Sequence, residues 1–231
     1  MQAVILAAGL GTRMRPLTYE KPKPMLEVAG KPILARMIEM LPEEVDEVIL
    51  IVGYKSEMVS AYFGDAWGGR RIVYIEQKEL TGTYGALSLA KSRLNPGERF
   101  MLLFADDIYG PEEFKRLLLH PRTVLVHEVE HPERFGILLV DEEGKIEDME
   151  EKPEHPKSNL AVTGAYLLDH HIFEYEPELH SNGEYYLPPV IMKMIKDYPM
   201  HAERASLWVP IGYPEDLARA EEILAGQQVN Q

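Results

Sequence analysis

The residues with the clearest capacity for chemistry stand near the start of the chain. An apolar run ends in Leu6-Ala7-Ala8-Gly9-Leu10-Gly11-Thr12-Arg13. Glycines at a strand's end let backbone N–H groups approach phosphate oxygens, because no Cβ intervenes. The spacing is not that of a Walker loop, which needs Gly-Lys-Ser/Thr before a helix. The third glycine of a dinucleotide fingerprint is missing too. By themselves, Gly9 and Gly11 are equally well explained by a tight turn. Ten residues after Arg13 comes Lys23, between Pro22 and Pro24, which stiffen the backbone and steady the ammonium group. Between Gly11 and Lys31, Arg13, Arg15, Lys21, Lys23 and Lys31 stand against Glu20 and Glu27, a local charge of +3 in a chain of formal net charge -14. Dense positive charge in an acidic chain suits a pocket for a small polyanion; a solvated basic loop is the plainer alternative. Asp106-Asp107 follows the apolar run 100–104, where an α/β sheet places its ligands. Capping a helix near Glu112 would explain that pair as well.

Further segments follow in order: Gly30-Lys31-Pro32-Ile33, Phe104-Ala105-Asp106-Asp107-Ile108-Tyr109-Gly110, His131-Pro132-Glu133-Arg134-Phe135-Gly136, Glu150-Glu151-Lys152-Pro153, Pro156-Lys157-Ser158-Asn159-Leu160-Ala161-Val162-Thr163-Gly164 and Trp208-Val209-Pro210-Ile211-Gly212-Tyr213-Pro214-Glu215-Asp216-Leu217. With the glycine loop and Lys23, this series resembles the sugar-phosphate nucleotidyltransferases, or nucleotide-sugar pyrophosphorylases, and within them the glucose-1-phosphate thymidylyltransferase branch. The resemblance covers about residues 1–225.

The resemblance implies a site. Leu6, Gly9, Gly11 and Thr12 would wrap the nucleotide, with Gln77 and Gly82 along its base. Arg13 and Lys23 would be catalytic, meeting the triphosphate. Asp106 would hold Mg²⁺. Asp107, Gly136, Glu151 and Val162 would contact the sugar, and Lys152 its phosphate. The implied reaction moves a nucleotidyl group from a nucleoside triphosphate, with dTTP or UTP favoured, to a sugar 1-phosphate, with glucose 1-phosphate favoured. Pyrophosphate is released.

Four departures accompany the likeness. Asp107 stands where relatives of that branch have Asn. Thr83-Tyr84-Gly85 is closer to other branches, which leaves the base open. Pro188-Pro189 replaces Thr-Asp. Pro210 stands where the family has the aspartate that completes its magnesium site. Proline has no ligand atom on its side chain. Either Asp106, waters and substrate phosphates hold the metal, or another carboxylate substitutes, or activity is reduced or lost. The last case would make the chain a nucleotide-sugar-binding regulator; transfer from another base, or to another acceptor, is a further alternative. No left-handed β-helix follows, so acyl transfer is not expected.

The elements that must position these residues read as alternating strands and helices in the first half. Strands are expected at 3–8, 47–52, 71–76 and 100–104, and helices at 32–41, 56–63 and 83–94. The second half is strand-rich, at 123–129, 135–140, 145–150 and 162–168, with a hairpin turn at Asp141-Glu142-Glu143-Gly144 and helices at 187–196 and 214–224. The expected fold is α/β: a Rossmann-like, mostly parallel sheet with helices on both faces and a small β-rich sugar-binding lobe. One domain over 1–231 is expected, with a nucleotide-binding half to about 120 and a sugar-binding half after it.

Composition excludes several classes. The chain has 231 residues and no cysteine, so disulfides and thiolate metal sites are ruled out. The eight histidines fit no zinc spacing, and no Ser-His-Asp arrangement is evident. The acidic balance argues against nucleic acid, and the short first apolar run against a membrane span. A soluble, cytoplasmic protein acting on small molecules is expected, with homo-oligomerisation left open. Four Asn and five Gln lean towards a heat-adapted source, and eleven Met the other way.

Overall fold

The computed structural model describes residues 1–228. The first half supplies β1 (Gln2–Ala7), β2 (Glu27–Val28), β3 (Lys31–Pro32), α1 (Ile33–Glu39), β4 (Glu47–Val52), α2 (Ser56–Phe63), β5 (Ala66–Trp67), β6 (Arg70–Glu76), α3 (Gly82–Ala90), β7 (Phe100–Phe104), β8 (Asp107–Tyr109) and α4 (Glu113–Arg116). The second half adds β9 (Thr123–Glu128), β10 (Gly136–Val140), β11 (Ile146–Glu151), β12 (Leu160–Leu168), α5 (Leu187–Met194), β13 (His201–Arg204), β14 (Trp208–Pro210) and α6 (Pro214–Gln228).

Strand alternation divides the core in two. In β1, Ala3, Ile5 and Ala7 face one side, while Val4 faces the other. In β4, Val48, Leu50 and Val52 are set against Ile49 and Ile51 in the same way. Both faces are apolar, as a sheet covered by helices on both sides requires. Helices α1 and α2 bury Leu34, Met37, Ile38, Val59 and Phe63 on the first face. Helices α3 and α5 bury Tyr84, Leu87, Val190, Ile191 and Met194 on the second.

The strands run β7-β1-β4-β6 in parallel at the heart of a ten-stranded sheet. Its strand-rich continuation joins directly: β12 lies antiparallel to β7, pairing Ala165 with Leu103, and also binds β9 and β10. The β-rich half is therefore an extension of the same mixed sheet. The hairpin turn forms between β10 and β11, where Asp141 N donates to Lys145 O at 2.9 Å and the Asp141 side chain accepts from Glu143 N and Lys145 N.

A third, smaller apolar cluster lies beside the sheet. It gathers Met14, Leu26, Val28, Ile33, Ile108, Val209, Ile211 and Ala220. These come from the loop after β1, the β2–β3 ribbon and its flanks, the start of α1, the β8–β14 ribbon and its flank, and α6. The alternative reading of Asp106-Asp107 as a cap for a helix near Glu112 does not hold: Asp107 lies in β8, and α4 begins at Glu113 with Glu112 at its N-cap.

Ile211 is 1% exposed at the centre of this third cluster. Ile211→Ala should destabilise the protein by about 2–5 kcal/mol, the range for emptying a packed aliphatic site. Urea unfolding with an unchanged m-value checks this. A loss under about 1 kcal/mol would mean that the cluster closes over the gap.

Candidate active site

The loop after β1 is built around one close contact. Gly11 has φ +60°, and a Cβ there would lie 2.9 Å from Thr18 Cγ2 and 3.0 Å from Lys23 Cβ. Glycine thus lets the loop pack on the Lys23 segment. Thr18 Oγ1 donates to Gly11 O at 2.9 Å, and Tyr54 OH donates to Thr18 O at 3.0 Å. Met14 N donates to Gly11 O at 2.9 Å, closing a 3₁₀ turn that carries Thr12 and Arg13.

Lys23 opens the third 3₁₀ turn of the chain, with Pro24 inside it. Its side chain is only 11% exposed, and Nζ donates to Asp106 Oδ2 at 3.0 Å. Asp106 follows β7, adjacent to β1 in the sheet. Its Oδ1 has no hydrogen-bond partner among the described residues and its side chain is 42% exposed. A buried cation and a half-exposed anion therefore share one edge of the site.

Leu6, Gly9, Gly11, Thr12, Arg13, Lys23, Gln77, Gly82 and Asp106 all line a single open cleft of about 360 Å³. The sequence placed these nine on nucleotide, phosphates and metal, and the fold brings them together. Gln77 is buried and fixed by its backbone, which donates to Val52 O at 2.7 Å, while Nε2 donates to Thr81 Oγ1 at 3.3 Å.

None of the residues expected on the sugar lines this cleft. Gly136 pairs with Glu151 across β10–β11, and Val162 pairs with Val126 across β12–β9. Lys152 has φ +46°; its N–H donates to Phe135 O, and its ammonium lies 3.1 Å from Glu151 Oε1. Both side chains are more than half exposed. Tyr186 lines the cleft and lies within reach of the Glu151 charge. Its hydroxyl is held above the usual range, first by a hydrogen bond with Glu184 and also by the charges of Glu184 and Glu151.

Asp107 departs from its expected place on the sugar. Both carboxylate oxygens turn into the protein: Trp208 Nε1 donates to Oδ2 at 2.8 Å, and Ile211 N donates to Oδ1 at 3.1 Å. Burial, then the neighbouring Asp106 charge, raise this carboxyl well above the usual range, against the pull of Lys23 and the two donors. Pro210 is its cross-strand partner in the β8–β14 ribbon. Position 210 therefore lies beside the Asp106-Asp107 segment, as the sequence pattern implies, and the carboxylate facing it is already engaged.

No cluster of three or more His, Asp or Glu suited to a metal exists among the described residues. One aspartate with an open oxygen, on a cleft also lined by Arg13 and Lys23, could take a cation such as Mg²⁺, which needs one or two carboxylates and fills its shell with other oxygens.

Sequence reasoning assigned no role to Glu184, Tyr186 or Gly212, which also line the cleft. The first two arrive by an interlock: Tyr185 N donates to Thr81 O at 2.8 Å, Tyr84 N to Tyr185 O at 3.0 Å, and Leu187 N to Thr83 Oγ1 at 3.0 Å. Gly82 makes the interlock possible, since a Cβ there would lie 2.5 Å from Tyr185 O. The signal was present in Gly183-Glu184-Tyr185-Tyr186, but nothing in the spacing tells that residues a hundred positions apart meet.

Comparison with known proteins adds to this geometry. Residues 2–227 match the nucleotidyl transferase family. The chain is 37% identical over 227 residues to the bifunctional protein GlmU of Methanocaldococcus jannaschii, across 97% of this chain and 54% of that protein. It thus spans about half the length of that relative. It is also 37% identical over 236 residues to the UTP–glucose-1-phosphate uridylyltransferase AglF of Haloferax volcanii, covering 97% of this chain and 96% of AglF. Among solved structures, a putative glucose-1-phosphate thymidylyltransferase of Bacillus anthracis, in complex with a sucrose, superposes with a TM-score of 0.84 at 28% identity, covering 96% of this chain and 95% of that one. A UDP-glucose pyrophosphorylase complexed with UDP-glucose also gives 0.84, at 25% identity, covering 98% of both chains.

Gly82→Ala should destabilise the protein more than Gly183→Ala. Both positions have left-handed φ, at +83° and +85°, but Gly183 has nothing within 4 Å of a built Cβ. The control thus carries only the backbone strain, about 1–2 kcal/mol. Equal falls in Tm for the two variants would show that the Tyr185 backbone yields freely to the methyl group.

Proposed function

Because this chain belongs to the nucleotidyl transferase family, we propose that it transfers a uridylyl or thymidylyl group from UTP or dTTP to glucose 1-phosphate, with Mg²⁺, giving a nucleotide-sugar and pyrophosphate. The observation that carries this reading is the single cleft that joins the Gly9–Gly11 loop and Arg13 to the Lys23–Asp106 pair, 3.0 Å apart. The names of AglF and of the two solved structures support the choice of base and sugar.

The chemistry asks for charge control rather than acid–base work. A sugar 1-phosphate is an anion near neutral pH and needs no general base. One of its oxygens attacks the α-phosphorus in line; the bond from that phosphorus to the β-phosphate oxygen breaks, and pyrophosphate leaves with the electron pair. The difficulty is to bring two anions together and to stabilise the leaving group, so positioning and electrostatics dominate. Arg13 and Lys23 offset charge on the triphosphate, and Lys152 on the sugar phosphate. Glu151 accepts from sugar hydroxyls. Asp106 would hold Mg²⁺, which supplies charge neutralisation and alignment of the phosphates.

Pro210 favours a second reading, in which the cleft binds nucleotide-sugar without turning it over. A pyrophosphate-release screen of five nucleoside triphosphates against a panel of sugar 1-phosphates, with Mg²⁺, separates the two. Release with UTP or dTTP and glucose 1-phosphate supports the enzyme; binding without release for every pair supports the regulator.

Lys23→Ala should lower kcat by about 100- to 1000-fold, as losing one donor to developing charge does elsewhere. Turnover above half that of wild type would remove Lys23 from the reaction.

Pro210→Asp should lower the Mg²⁺ concentration needed for half-maximal rate, relative to Pro210→Ala. Proline lacks an N–H and fixes φ, so the alanine variant absorbs the backbone effect and leaves only that of the carboxylate. A half-saturating Mg²⁺ no lower for Asp than for Ala would place position 210 away from the metal.

A further inference from the structure

Arg13 must present donors to phosphate, yet little holds it. Among the described residues its guanidinium makes no hydrogen bond or ion pair; its partner is the ring of Tyr213, with the guanidinium carbon 5.7 Å from the centroid. A ring face attracts a cation through its quadrupole and takes up none of its N–H donors. All five donors of Arg13 stay free in this arrangement. Lys23, by contrast, directs a donor at Asp106.

The backbone on both sides of this contact is fixed. Pro214 opens α6, with its φ already set for the first helical turn. Asp216 Oδ2 accepts from Gly212 N and Tyr213 N, both at 2.7 Å, and Asp216 N donates to Tyr213 O at 3.0 Å. The Asp216 carboxylate thus supplies the back-reaching half of a capping box, which fixes the chain's entry into α6. Gly212, next to Tyr213, lines the cleft. On the other side, Met14 follows Arg13 and is buried with Ile211 in the third apolar cluster. What remains adjustable is the long Arg13 side chain, and the ring limits it.

We infer that Tyr213 is a positioning residue: its ring holds the Arg13 guanidinium at the triphosphate side of the cleft with every donor free. This rests on the triphosphate reading above. Tyr213 is 40% exposed, so the effect is that of a solvated contact and not of a buried one.

The test uses inorganic pyrophosphate, which carries the phosphate charge without base or sugar. Its Kd in the presence of Mg²⁺ is measured by calorimetry for wild type, Tyr213→Phe, Tyr213→Ala, Arg13→Ala and the Arg13→Ala/Tyr213→Ala double variant. Tyr213→Ala should weaken binding about two- to five-fold, as expected for an exposed cation–ring contact. Tyr213→Phe, which keeps the ring, should stay close to wild type. In the Arg13→Ala background Tyr213→Ala should change nothing, because the coupled partner is gone. An unchanged Kd for Tyr213→Ala, the same loss in both backgrounds, or a wild type that does not bind pyrophosphate would each overturn the inference. Turnover of UTP with glucose 1-phosphate, followed in parallel, tests the substrate reading separately. The expected binding cycle without turnover would defeat that reading and leave the role of Tyr213 standing.

Discussion

The contact between Lys23 and Asp106 organises the site. It joins residues 83 positions apart, one on a proline-bounded turn and the other at the end of β7. Neither group could stand in the cleft so well alone. A lysine only 11% exposed needs a counter-charge, and Asp106 supplies it while keeping an oxygen open. The pair also fixes the spacing between the groups proposed to meet the phosphates and the group proposed to hold the metal. Gly11 belongs to the same constraint, since any larger residue would press on Thr18 and on Lys23 itself.

Around this pair the protein uses apolar packing to aim polar groups. The third cluster ties the loop after β1 to the β8–β14 ribbon and α6, so Arg13, Asp106 and Gly212 are held by Met14, Ile108 and Ile211 within two residues of them. Asp107 adds a polar tie of the same kind, holding Trp208 and the Ile211 backbone. Phe135 packs edge-on to Trp208, with ring centroids 5.4 Å apart, and its carbonyl accepts from Lys152 N. A path of contacts thus runs from the residues beside the cleft's acid to those expected on the sugar.

Much of this was legible in the sequence where a pattern is local. The strand ends 47–52 and 100–104 were readable from their apolar runs, and the helix at 56–63 from its spacing. The nine cleft residues were named through the family resemblance, and the fold sets them round one cleft. The short β2–β3 and β8–β14 ribbons were not readable, since two or three residues carry no periodicity. Asp107 shows the limit most clearly. Its residue type fits a ligand contact, but its direction is set by an indole N–H and a backbone N–H about a hundred positions later. Glu184 and Tyr186 were missed for a similar reason: they reach the cleft through backbone bonds between segments that no sequence spacing connects.

The continuity of the sheet has a mechanical consequence. Strand β7 is bonded to β1 on one side and to β12 on the other. The Gly9–Gly11 loop, Asp106 and the strand bearing Val162 therefore hang from three neighbouring strands, whose separation is fixed by their ladders at roughly 4.8 Å each. Two halves joined this way cannot swing apart like jaws without breaking the central pairing. The rim is tied down as well: Tyr185 is bonded to Thr81 and Tyr84, and the Gly212–Tyr213 turn to Asp216. The spacing of the loop, the acid and Val162 is thus a property of the sheet ladder itself.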